Sequence, residues 1–214
     1  MLLQNTWAMR ASGVAPPVVM SYSSTDTAGS NSSTLTITKP SGVQPGDLLL
    51  AVMCGSGPGG GESWTGDTGW TEVVDQGVWP ILRVAWKIAG ASEPASYSFT
   101  CSNSRRLGGG ILRIARGAFD TIGAIGTSST TAAVVAPAIT SAGGLLVGFF
   151  GNDNKDISFT TPTGMIAQFS DSDGNEPSFA CFSERIAAGS TGTRSSTPSD
   201  TANHAGALIS IKSV

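Results

Sequence analysis

The chain has 214 residues and a formal charge of −3, from 12 Lys+Arg against 15 Asp+Glu, and only 13% of its residues are charged. A charged share about half the usual ~25% argues against a long coiled coil, a solvated charged tail or a charge-driven disordered protein. The slight acidity gives no basic footprint for nucleic acid, and no apolar run approaches the ~20 residues of a membrane helix.

Taken in chain order, residues 1–30 read as an N-terminal arm followed by a loop. Met1 to Trp7 carries no basic segment ahead of an apolar core, so a standard signal peptide is not expected and a reducing cytosol is. Leu2, Leu3, Trp7 and Met9 make the arm apolar. They are candidates for docking on the chain's own body or on a neighbour, which would make the protein a subunit of an assembly. Ala15-Pro16-Pro17 leads into Val18-Val19-Met20, the start of an extra edge strand, and Ser21 to Ser33 reads as a loop.

Residues 31–214 read as a single β-sandwich domain. Thr34 to Thr38 alternates polar and apolar, the period of a half-buried strand. Leu48 to Met53 is a continuous apolar run, too short for a helix and suited to a strand buried on both faces. Gly57-Pro58-Gly59-Gly60-Gly61 lacks the lysine and following helix of a phosphate cradle, and reads as a hairpin loop. Ile81 to Ile88 is rich in β-formers and places Trp86 in the core. Tyr97 to Thr100 alternates again, and Ile111 to Ala115 closes the half, preceded by Gly108-Gly109-Gly110, where backbones can approach closely. After a small-residue connector, Phe119 to Thr131, the second half repeats the pattern with Val134-Val135, Leu145 to Phe150, Met165 to Phe169, Phe179 to Ile186 and Leu208 to Ile211.

The two halves align. Pro45 to Met53 matches Ala142 to Phe150, and Gly109 to Ile114 matches Gly206 to Ile211, both at an offset of 97. Lys87 to Ser92 resembles Arg185 to Ser190 near 98, and Gly69 to Glu72 faces Gly164 to Ala167 at 95. One unit written twice, over about 34–117 and 131–214, predicts an all-β, β-sandwich or jelly-roll-like fold of two pseudo-repeated halves packed face to face.

Sequence signals for chemistry are sparse. The single histidine, His204, reads as a loop bystander, and Cys54, Cys101 and Cys181 read as small buried hydrophobes. Asp171 to Glu176 alternates oxygen side chains as calcium loops do, but lacks the EF-hand spacing and reads as a hairpin tip. Glu72, Asp75, Glu93 and Glu184 are the acids a glycosidase would need, with nothing in the sequence that makes them converge. No catalytic residue, cofactor or metal is assigned. Trp64 and Trp79 flank loops and are expected to be exposed, as a sugar-stacking platform or an interface patch. With Leu2, Leu3, Trp7 and Met9 they form the candidate interface.

Val43 to Ala51, Gly69-Trp70-Thr71, Trp86 to Thr100, Gly109 to Gly117, Ala187 to Gly192 and Ala207 to Lys212 together resemble a family found in the structural modules of tailed bacteriophages. The resemblance covers about residues 34–214. It implies a non-catalytic β-sandwich virion protein, made in the host cytoplasm. A capsid decoration, or cement, protein bound to the major capsid protein is the expectation, as a homo-oligomer with a trimer favoured. The alternative is a tail or fibre module that recognises host-surface carbohydrate.

Overall fold

The computed structural model describes residues 15–56, 63–66, 68–76, 80–130, 132–172 and 174–214. Among these the chain is all-β, without a helix. In order the strands are β1 (Val18–Asp26), β2 (Ser32–Thr38), β3 (Leu48–Ser56), β4 (Trp64–Gly66), β5 (Thr71–Gln76), β6 (Ile81–Ile88), β7 (Ser96–Ala115), β8 (Gly117–Ile122) and β9 (Gly126–Ser128). They continue as β10 (Val134–Ala136), β11 (Thr140–Ser141), β12 (Gly144–Asn152), β13 (Ile166–Asp171), β14 (Phe179–Ile186), β15 (Gly189–Ser190), β16 (Arg194–Ser196) and β17 (His204–Ser213).

Two antiparallel sheets follow one plan. The first runs β1-β7-β3-β6-β5 and the second β8-β17-β12-β14-β13, with β2 and β4 added on β7, and β9 on β17. Strand register fixes the correspondence residue by residue. Leu48 faces Ile88 and Ile114, and Leu145 faces Arg185 and Ile211. Both leucines point into the same interior, so an offset of 97 holds across the three central strands. The sequence match of Lys87–Ser92 at 98 is therefore one residue out, since a slip of one turns every side chain to the opposite face.

The repeat also begins earlier than its sequence signal. β1 gives the first unit the edge strand that β8 gives the second. Ser21 to Asp26 is thus strand and not loop, pairing with Arg113 to Gly108. The connector from Phe119 is likewise partly strand, in β8 and β9. Both strands are poor in large apolar residues, which is why composition alone misses them.

Burial accounts for the continuous apolar runs. Along β3, Leu48, Leu50, Val52 and Cys54 meet Leu145, Val147, Phe149 and Phe179 between the sheets. The alternate residues Leu49, Ala51 and Met53 face outward, under Leu35, Ile37, Trp64, Tyr97 and Phe99. On the second sheet Leu146, Phe150, Ala180 and Phe182 are covered by Val134, Ala136 and Ile139. Each sheet is buried on both faces, so no polar alternation is needed.

β7 makes the outer cover possible. Its first part pairs with β2 and β4, its last part with β1 and β3, in one strand where the sequence suggests two. At the crossing, a Cβ on Gly109 would lie 2.4 Å from the Val52 carbonyl oxygen, and one on Gly108 2.4 Å from the Phe179 ring. The glycine run is the close approach that its sequence indicates.

The four edge strands share one irregularity. An extra residue bulges out of β1 between Val19 and Ser21, of β5 between Glu72 and Val74, of β8 between Phe119 and Thr121, and of β13 between Ala167 and Phe169. Bulged edges present a poor template for pairing with another chain.

Candidate functional site

Trp64 does not belong to an exposed platform. It is 3% exposed, in the layer that covers the outer face of the first sheet. The short strand β4 turns it inward, opposite Cys101 of β7. Arg83 lies beneath it, with its guanidinium carbon 6.0 Å from the Trp64 ring centroid and 5.9 Å from that of Phe99. Its Nη2 is 2.8 Å from Glu72 Oε2, which compensates the buried charge. Trp70 packs edge-on against Tyr97 and Phe99, with centroids 5.2 Å away in each case. Trp79, Leu2, Leu3, Trp7 and Met9 lie outside the described residues.

Of the acids that a glycosidase would need, Glu72, Glu93 and Glu184 are engaged by cations, and the side chain of Asp75 lies outside the described residues. Glu93 accepts Lys87 Nζ at 2.8 Å, Tyr97 OH at 2.9 Å and the Gly90 amide at 2.7 Å. Burial alone would raise its carboxyl, but the Lys87, Gly90 and Tyr97 hydrogen bonds and the Lys87 charge hold it below the ordinary value. The Tyr97 hydroxyl is correspondingly pushed up, by burial first and then by Glu93. Glu184 pairs with Arg194, Asp47 with Arg113 at 2.6 Å, and Glu176 with Arg106 at 2.6 Å. In each of these pairs the carboxylate is held by a cation.

His204 is not in a loop. It is the first residue of β17, opposite Asn152, fully buried and edge-on to Phe159. Neither ring nitrogen has a well-formed hydrogen-bond partner. Burial lowers its pKa, while the Asp200 backbone and the Asp153 charge act in the opposite direction. The three cysteines are buried and free, as their sequence reading has it, and burial pushes the Cys54 and Cys181 thiols up, away from reactivity. Asp171 ends β13 and pairs with Phe179 of β14, so the Asp171 to Glu176 stretch, in which Asp173 lies outside the described residues, falls at the turn expected of it. Among the described residues no group of three His, Cys, Asp or Glu could hold a metal ion.

The surface feature the sequence reading missed lies on one flank of the sandwich, where β1 passes over β13. Ile166 is 66% exposed, Met20 53% and Tyr22 49%. The Tyr22 ring leans on Phe169 of β13, with centroids 5.6 Å apart. Beside them a groove of about 420 Å³ is lined by Pro17, Val18, Val19, Leu145, Ile166 and Ser183, among others. The signal was present, since Met20 and Tyr22 alternate with Ser21 and Ser23 from the bulge onward. The serine-rich composition that follows obscured it.

On the opposite flank β8 meets β6. There Trp86 stacks flat on Phe119, with centroids 5.6 Å apart and planes at 3°. No family model matches the chain, and no curated protein or solved structure is similar to it.

Proposed function

We propose that this chain is a non-enzymatic structural protein of a tailed-phage virion, and most specifically a capsid decoration protein that bridges major capsid subunits. The observation that carries the reading is where the reactive groups are spent. Glu72, Glu93, Glu176, Glu184 and Asp47 hold cations, His204 is sealed inside, all three cysteines are buried, and burial raises the Cys54 and Cys181 thiols. That these groups are taken up by the fold supports a role through surface contact.

The doubly covered sheets support the reading, because a particle component needs a rigid body that keeps its shape under load. The resemblance of residues 34–214 to phage structural modules supplies the context. The mechanism is mass action. A protein that binds the assembled lattice but not loose subunits shifts the equilibrium toward the closed shell, by ~2.7 kcal/mol per site at a hundredfold excess over Kd. Attachment at symmetric lattice points favours a homo-oligomer, a trimer first. The carbohydrate-binding alternative loses Trp64, whose ring is in the core.

Quantitative mass spectrometry of purified particles tests the assignment. Hundreds of copies per particle are expected. A handful would reject decoration and move the protein to the tail.

A further inference from the structure

The two flanks are equivalent by register but not by content. Trp86 pairs with Leu50 and Thr71, and Ser183 pairs with Val147 and Ile166. Phe119 pairs with Ile211, and Val19 with Ile114. Ser183 therefore stands where the first half has Trp86, and Val19 stands where the second half has Phe119. The space that a tryptophan–phenylalanine stack fills on one flank is left as the groove on the other. Its rim reverses polarity as well. The exposed position that is Thr71 on the closed flank is Ile166 on the open one.

We propose that this groove is the docking site of the chain's own residues 1–14, with the Trp7 indole filling the place that Trp86 takes on the other flank. Three observations on the segment select it. Its last residue is three positions before Pro17, which lines the groove. It carries Leu2, Leu3, Trp7 and Met9 and no acid, so it brings apolar area to the Val18, Val19 and Ile166 side of a groove whose other side is Gln168, Glu184 and Arg185. Pro17 lies ten positions after Trp7, a reach of up to ~33 Å, which allows the segment to fold back or to cross to a neighbouring copy. Grooves of ~300–1,000 Å³ accept a group the size of an indole. The inference stands on the internal symmetry and does not depend on the virion reading.

Trypsin reads the docking directly, since Arg10 is the sole basic residue of the segment. In the full-length wild type, cleavage after Arg10 is expected to be slow. Trp7→Ala and Ile166→Asp should each speed it at least about tenfold, as the undocked population rises. The double variant Val19→Phe/Ser183→Trp rebuilds the closed flank. It should release the segment to the same extent with no loss of thermal stability. If dilution speeds wild-type cleavage the segment is a neighbour's, and if not it is the same chain's; either supports the assignment. Wild-type cleavage as fast as in the variants overturns it. So does a dimer that survives removal of residues 1–10 and dissociates on Ile166→Asp, because a second copy's body then covers the flank.

Discussion

At the scale of single residues, His204 shows how the fold silences a group that the sequence leaves ambiguous. The first half has Leu107 at the equivalent strand position, opposite Gly55 as His204 is opposite Asn152. The imidazole thus occupies a hydrophobe's place, and burial lowers its pKa below the ordinary 6.5. As the pH falls through about 6.5 the unfolded chain takes up a proton that the folded chain still refuses. More protons bound when unfolded means stability that is full above this point and declines below it. His204→Leu should remove that part of the slope. Denaturant midpoints taken above and below about pH 6.5 should differ less in the variant than in the wild type. Identical differences would show that the imidazole is as easily protonated folded as unfolded.

At the scale of elements, the edge strands set how copies can meet. All four carry one bulged residue, and the bulges of β5 and β13 fall at matched positions, Val73 and Gln168. A regular edge would expose a continuous row of amides and carbonyls to another chain. Deleting Gln168 places Ala167 and Phe169 in plain succession and straightens β13 without disturbing the inward Phe169. The variant should keep its strand content and associate with itself, seen as a rise in light scattering with concentration. If it stays as dispersed as the wild type, the bulge has no protective role. The same reasoning directs assembly contacts away from ladder pairing and toward side-chain surfaces such as the flank of Tyr22 and Ile166.

At the scale of the molecule, the halves need each other. Eight buried residues of the first sheet and nine of the second form the cluster between them. At ~1.5–3 kcal/mol for each large apolar side chain, this burial exceeds the ~5–15 kcal/mol by which domains are usually stable. Residues 1–116 and 117–214, made separately, should therefore lack a cooperative thermal transition as monomers. Mixed, they should regain one, followed by circular dichroism. A monomeric first fragment with its own sharp transition would show that the shared interior is dispensable.

What the sequence determined by itself was whatever side-chain pattern encodes locally. The unbroken apolar runs Leu48–Met53 and Leu145–Phe150 specified strands buried on both faces, because only sheets covered twice can take such runs. Their repetition at a fixed spacing specified two halves of one plan, and the three cysteines read correctly as buried. Tertiary structure decided what depends on partners distant along the chain. Ser21 to Asp26 is strand because β7 offers it a ladder, although serine and threonine do not demand one. Trp64 is inside because β7 bends across its sheet, and the one-residue correction in the β6–β14 match comes from pairing alone. The open flank is visible only when register sets Ser183 against Trp86 and Val19 against Phe119. A groove is the absence of side chains in three dimensions, and no single residue in the sequence records it.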